Sequence, residues 1–125
     1  MSTKGMVLCE PNVVVERACI SDRVNLITSS DGIIKLDDDD FQGSIRMLLE
    51  YKMEDFGNFV PSLVNIDFEI TRIIINVSGD EKGLISDVHR VLCDLFNFYG
   101  KKYKYLWGCN TYTSETVTVD IFLLG

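Results

Sequence analysis

His89 is the only histidine in the chain, so any Ser-His-Asp or Cys-His scheme would have to use it. Ser86 and Asp87 precede it, and Cys93 follows one helical turn later. These residues fall on or beside the flank of a predicted amphipathic helix, where nothing marks a pocket. His89 and Cys93 also have the spacing of two metal ligands, but no second pair completes a tetrahedral site. We therefore interpret His89 as a surface or boundary residue, and we expect no catalytic residue and no metal.

Four consecutive aspartates, Asp37 to Asp40, form the other group with evident chemistry, because carboxylates bind hard cations. The run lacks the alternating acids, the glycine and the terminal glutamate of a calcium loop. Asp39 with Gln42 three residues later instead fits a capping box, and aspartates are favoured at the positive end of a helix dipole. The sequence therefore favours the start of a helix here over a cation site.

The glycines and cysteines argue against several cofactor sites. The closest two of the nine glycines are Gly79 and Gly83, so neither a dinucleotide fingerprint nor a Walker loop can be written. The four cysteines contain no Cys-x-x-Cys pair, so a zinc ribbon and a thioredoxin motif are absent from the sequence. We expect reduced thiols, no cofactor and no enzymatic activity.

The chain has 125 residues, of which 46% are apolar and 25% are charged, and this is the size and composition of one globular domain. We therefore expect a single domain over residues 1–125. No apolar stretch approaches the roughly 18 residues of a membrane helix. Residues 1–10 lack the apolar region of a signal peptide. These features predict a cytoplasmic protein.

The net charge of −7 is unevenly distributed. Residues 37–69 contain nine acidic and two basic residues, whereas the rest of the chain is balanced. An acidic surface repels nucleic acid and anionic membranes and attracts basic proteins. The alternative is a solvated face that only maintains solubility. We expect a protein partner and neither nucleic acid nor membrane.

The elements that would position these residues are predicted from periodicity and turn signals. Strands are expected at residues 13–15, 23–28 and 33–36, the last two forming a hairpin. Apolar residues at helical spacing predict a helix over 41–56 and another from Leu84 to a stop at Gly100. A β-branched run at 71–77 predicts a central strand, and strands at 103–110 and 116–124 follow.

Together these elements predict an α/β (α+β) two-layer sandwich, with one mixed sheet covered by two helices. Tyr103, Tyr105 and Trp107 share one face of their strand, either in the core or as an exposed aromatic patch for a partner. Strands at sheet edges invite pairing between copies. We expect a dimer that uses residues 13–18 or 116–124.

The second half of the chain resembles the C-terminal domain of FtsZ, the bacterial tubulin-like cell-division GTPase. The resemblance is carried by a strand that ends in a small-residue–glycine turn, a helix, a Trp-Gly strand end and a last strand ending in glycine. In this sequence these are Ile74-Ile75-Asn76-Val77-Ser78-Gly79, the helix from Leu84 with Val88, Trp107-Gly108, and Val117-Thr118-Val119 up to Gly125. It implies a fold like that domain.

The resemblance also implies roles for residues upstream. Residues 64–68 resemble the synergy loop that one subunit inserts into the nucleotide site of its neighbour, and the helix over 41–56 would match the core helix of the family. The second acid of that loop would fall at Ile70, which leaves Asp67 with only Glu69 beside it. The glycine-rich GTP-binding half is missing, so the resemblance implies a module that neither binds nor hydrolyses GTP by itself.

Two functional hypotheses follow. The first is an interaction or self-assembly module of tubulin/FtsZ type that acts on a filament-forming partner through a surface near Asn65, Asp67 and Glu69. The second is an acidic immunity or antitoxin-like protein whose charged surface neutralises a basic enzyme. In both, further interaction residues are expected at Asp37, Asp38 and Trp107. A small-molecule-sensing or enzymatic domain is the least favoured class, because no phosphate loop is present.

Overall fold

The computed structural model describes residues 8–9, 12–30, 32–52, 60–61, 66–79, 84–100, 103–112 and 117–125. It contains eight strands, two α-helices and one short 3-10 helix within these ranges. The strands are β1 (Leu8–Cys9), β2 (Asn12–Val14), β3 (Gly32–Ile34), β4 (Ile45–Lys52), β5 (Val60–Pro61), β6 (Arg72–Ser78), β7 (Lys104–Asn110) and β8 (Thr118–Leu124). The helices are α1 (Arg17–Ser29) and α2 (Leu84–Tyr99), and the 3-10 helix spans Asp38–Phe41.

Six of the strands form one mixed sheet in the order β2-β4-β8-β6-β7-β3. β6 and β7 are parallel and are joined through α2, as parallel neighbours require a crossover connection. The other pairs in this sheet are antiparallel. β1 and β5 form a separate parallel pair of two residues each. The protein is therefore α+β, with β8 and β6 at the centre of the main sheet.

Both faces of the central strands are apolar, because each face is covered by a helix. Along β6, Ile73 and Ile75 pack in the cluster that includes Val88 and Val91 of α2. Ile74 between them packs in a second cluster with Ile20 and Ile27 of α1, as the period of two requires. The predicted sheet with two helices is confirmed, and the helices lie on opposite faces rather than sharing one.

The α1 face is closed at one end by the 3-10 helix. Phe41 at its last position lies against Phe122 of β8, edge to face, with ring centroids 5.0 Å apart. Phe122 is fully buried, and Leu36 packs in the same cluster. The 3-10 helix therefore covers the part of this face that α1 leaves open.

The predicted hairpin at residues 23–28 and 33–36 is wrong. Residues 23–28 belong to α1, and β3 pairs with β7 instead. Val24, Leu26 and Thr28 alternate as in a strand, but Leu26 is exposed. The buried residues Ile20 and Ile27, with Val24 between them, follow helical spacing and decide the conformation.

The predicted helix over 41–56 is also wrong, because residues 45–52 form β4. Leu48 is buried on the α1 face and Leu49 on the α2 face, so apolar residues follow one another directly. A strand that is buried on both faces can match the spacing of an amphipathic helix. Residues 53–56 lie outside the described part of the chain.

The other predicted elements are confirmed, whereas the sequence predicts neither β1 nor β5. β2, β6, β7 and β8 lie within two residues of the predicted strands, and α2 ends at Gly100, whose φ of 91° is the left-handed conformation of a helix stop. β8 is internal, however, because it pairs with both β4 and β6. The expected use of residues 116–124 as a free edge is therefore wrong, whereas β2 is the terminal strand on its side of the sheet.

The placement of the helices on opposite faces can be tested with Ile74→Ala and Ile75→Ala. Both side chains are fully buried, so each variant should lose about 2–5 kcal/mol of unfolding free energy. In native-state hydrogen exchange, Ile74→Ala should increase exchange mainly in α1 and Ile75→Ala mainly in α2. The same exchange pattern in both variants would contradict the assignment of faces.

Candidate functional site

A row of polar side chains crosses the α1 face of the sheet. Asn12 of β2, Glu50 of β4, Asp120 of β8 and Asn76 of β6 occupy neighbouring positions in the strand register. Directly paired residues of antiparallel strands lie on the same face. Asn12 is exposed and Glu50 is half-buried, whereas Asp120 and Asn76 are fully buried, so the row runs from the surface into the interior of the sheet.

Arg23 of α1 pairs with the two carboxylates of this row. Its Nη1 lies 2.6 Å from Oδ1 of Asp120, and its Nη2 lies 2.5 Å from Oε2 of Glu50. The other oxygen of Glu50 accepts a hydrogen bond from Asn12 Nδ2 at 2.5 Å. One guanidinium therefore joins the helix to two neighbouring strands, in the forked geometry that arginine provides.

Tyr112, just after β7, completes the cluster. Its hydroxyl donates to Oδ2 of Asp120 at 2.5 Å, and the Arg23 guanidinium lies 5.6 Å from its ring centroid. Beside it, Asn110 Nδ2 donates to Asn76 Oδ1 at 3.0 Å. Among the described residues every buried side-chain nitrogen and oxygen has a partner. We refer to Arg23, Glu50, Tyr112 and Asp120 as the Arg23 cluster.

Burial dominates the electrostatics of this cluster. It raises the pKa of the Asp120 carboxyl to about 6, although Arg23 and the Tyr112 hydroxyl both lower it. Burial and the charge of Asp120 also raise the pKa of Tyr112 well above its usual range. Both oxygens of Asp120 are already bonded and shielded from solvent, so the cluster attaches α1 to the sheet and offers no open position for a substrate.

An open groove runs beside the cluster, between α1 and the segment 38–45. It encloses about 640 Å³. Apolar side chains from both walls line it, and Arg17 and Ser21 of α1 face Asp38, Gln42 and Ser44 of the opposite segment. The full set of lining residues is Arg17, Ile20, Ser21, Val24, Asp38, Phe41, Gln42, Gly43, Ser44 and Ile45. Apolar side chains therefore share the lining with polar and charged ones, a mixture that protein–protein interfaces also show.

Asp38 is the member of the aspartate run that lines the groove, on the wall opposite α1. The backbone N–H of Asp37 donates to the Asp40 carboxylate at 2.8 Å, and Gln42 Nε2 donates to Asp39 Oδ1 at 3.3 Å. The predicted capping role is therefore present, but it starts a 3-10 helix of four residues and uses Asp37 and Asp40. Asp37 and Asp38 themselves are exposed.

Asp67 and Glu69, two of the other predicted interaction residues, do not line the groove. Asp67 and Glu69 are exposed in the segment that leads into β6, and Asn65 lies outside the described residues. The segments before β4 and before β6 enter the sheet at the same end, because Ile45 and Arg72 both pair with Leu124. Asp38 and Asp67 therefore share one end of the sheet, on opposite faces.

Trp107, His89 and Cys93 lie elsewhere. Trp107 is half-buried on β7 and packs against the α2-face cluster, which favours the core interpretation. His89 and Cys93 are exposed on α2, with Nε2 and Sγ 3.8 Å apart. No group of three or more potential metal ligands occurs among the described residues.

The Arg23 cluster is not among the sites predicted from the sequence, because its residues are far apart in the sequence and no motif connects them. A signal was present in the sequence. Phe122 and Leu124 follow Asp120 on the same face at the period of two, so that face could not be wholly exposed. A carboxylate in such a position requires a buried partner.

Arg23→Met tests the attachment of α1, because methionine keeps much of the aliphatic stem and removes the charge. Removing one partner of a buried ion pair leaves Asp120 without compensation, so unfolding free energy at neutral pH should fall by about 3 kcal/mol. Arg17→Met on the same helix is the control, since Arg17 is exposed and is in no ion pair among the described residues. Equal urea midpoints for the two variants would contradict the role of Arg23.

The raised pKa of Asp120 also predicts that the stability of the protein depends on pH. Its pKa is 3.8 in the unfolded reference and about 6 in the folded protein, so the folded state binds this proton more tightly. The stabilisation is complete below about pH 4 and is lost as pH rises through about 6, a difference of about 3 kcal/mol. In urea unfolding, the difference in unfolding free energy between the wild type and Asp120→Asn should shrink as the pH rises from about 4 through about 6. An exposed control, Asp38→Asn, should follow the wild-type profile, and a parallel Asp120→Asn profile would refute the assignment.

No helix among the described residues is long and apolar enough to span a membrane. No protein-family model matches the chain. No curated protein shows significant similarity to it. The function must therefore be argued from the groove, the charged groups around it and the sequence itself.

Proposed function

We propose that this protein is a protein-interaction module that docks on a partner through the groove between α1 and residues 38–45. The observation that carries the proposal is the composition of that groove. Ile20, Val24, Phe41 and Ile45 offer an apolar floor, and Arg17 and Asp38 place opposite charges on its two walls. A partner side chain can bury apolar area there while flanking charges fix its orientation.

The partner we propose is a filament-forming protein of the tubulin/FtsZ family. Support comes from the resemblance of residues 74–79, 107–108 and 117–125 to the C-terminal domain of FtsZ. The segments that carry it form a strand, a crossover helix, a parallel strand and an antiparallel closing strand, β6-α2-β7-β8. Such an order of elements is compatible with that domain, although a shared fold does not by itself establish a shared function.

The matched variants Ser21→Trp and Asn25→Trp test the docking site. Both residues are exposed on α1, but only Ser21 lines the groove. The indole of Ser21→Trp should fill the groove and weaken binding at least about tenfold, which corresponds to about 1.4 kcal/mol, whereas Asn25→Trp should bind as the wild type does. Binding would be measured by co-sedimentation and by anisotropy titration with a purified FtsZ-type filament protein.

Each outcome of this experiment is informative. Loss of binding in Ser21→Trp alone supports both the groove and the partner. Equal binding by both variants overturns the groove as the docking site. If the wild type does not bind the filament protein, the proposed partner is wrong.

A second candidate function is neutralisation of a basic enzyme. It is favoured by the exposed acids Asp37, Asp38, Asp39, Asp67 and Glu69, which lie at one end of the sheet. Arg46 and Arg72 at the same end reduce the net charge of this surface. This function predicts binding that weakens steeply between about 0.05 and 0.5 M salt, as screening shortens the range of charge interactions. It also predicts that Asp67→Asn with Glu69→Gln, at two exposed acids that do not line the groove, slows association with the basic enzyme without affecting a groove-bound partner.

A further inference from the structure

The two edges of the six-stranded sheet differ in how they are protected. At one edge, β3 begins with Gly32 and is irregular in register between Gly32 and Ile34. An irregular edge strand discourages pairing with another chain. At the other edge, the extended run from Asn12 to Glu16 carries three consecutive valines and no bulge in its pairing with β4.

Two of these valines are exposed on the same side. The side chain of Val13 is 41% exposed and that of Val15 is 65% exposed, and the only other large apolar side chain of comparable exposure among the described residues is Leu26. Val13 pairs with Leu49, so it lies on the α2 face, and Val15 follows two positions later. α2 packs on β6 and β7, at the other side of the sheet. It therefore leaves this patch uncovered.

The residues at this edge can pair with the same residues of a second copy. If two copies pair antiparallel with Val14 opposite Val14, then Val13 of one copy lies opposite Val15 of the other, twice. Val13 and Val15 of the two copies, four exposed side chains in all, then form two cross-strand pairs on one face, which is a favourable arrangement for β-branched residues. Asn12 lies opposite Glu16 of the second copy, so no like charges meet in this register.

We propose that the occupant of this edge is a second copy of the chain, and that two copies pair β2 to β2 across a two-fold axis to form a continuous twelve-stranded sheet. An isologous contact of this kind closes on itself and yields a dimer rather than a fibre. A contact limited to the extended run from Asn12 to Glu16 buries less area than a standard interface, so the dimer dissociates at low concentration. The inference is independent of the groove and of its proposed partner.

Sedimentation of the wild type, Val15→Lys and Leu26→Lys over about 1 µM to 1 mM, the range of weak complexes, tests this proposal. Lysine at position 15 puts charges into the shared patch and should weaken dimerisation at least tenfold. Leu26→Lys carries the same charge on α1, on the opposite face, and should dimerise as the wild type does. Val15→Thr keeps the branched shape and should weaken the dimer to an intermediate degree, and circular dichroism confirms folding.

Hydrogen exchange gives a second readout that a change in stability alone would not mimic. Amides of residues 12–16 that point away from β4 should become protected as protein concentration rises, and this protection should be lost in Val15→Lys. A wild type that remains monomeric up to 1 mM overturns the proposal. A dimer that Val15→Lys leaves intact also overturns it, because the contact must then use another surface.

Discussion

The rest of the structure depends on the buried ion pair between Arg23 and Asp120. A carboxylate in the centre of a six-stranded sheet must have a charged or hydrogen-bonded partner, and only α1 supplies a cation to it among the described residues. The pair also fixes register. A slip of β8 by one position would place Asp120 on the α2 face, among Leu49, Ile73 and Ile75. The ion pair therefore specifies one arrangement of helix and sheet more than it adds to net stability.

The position of α1 follows from this constraint and in turn creates the groove. α1 has no side-chain cap at Glu16 and only two fully buried apolar residues, so helix signals and packing alone hold it weakly. Arg23 lies between Ile20 and Val24, which line the groove. The distance between α1 and the 3-10 helix is thus set by groups that do not themselves line the groove. The Arg23 cluster inside the protein therefore supports the groove that we propose as the docking surface.

Prediction from the sequence succeeded where one local signal was sufficient. β6 carries the β-branched run Ile73 to Ile75, α2 has a continuous apolar stripe with Gly100 as its stop, and β8 has apolar residues at the period of two from Val119 to Leu123. It failed at α1 and β4, where local periodicity was ambiguous. In β4, Leu48 and Leu49 are both buried because each packs in the core cluster of one face, and no single segment reveals that. The candidate site was only partly predictable. Asp38 lines the groove and Asp37 directly precedes it in the chain. The opposite wall of the groove is α1, however, and the sequence predicts a strand over part of that helix.

The segment from Asn12 to Val24 links the features that matter for interaction. Its first residues form the outer strand of the sheet, Arg23 holds the central carboxylate, and the intervening turns of α1 line the groove. Because α1 follows β2 after only two residues, the strand and the helix cannot shift independently. Asn12 and Arg23, at the two ends of this segment, both bind Glu50, so each also limits the movement of the other. The edge and the groove are therefore held as one unit, which is bonded to β4 at Glu50 and to β8 at Asp120.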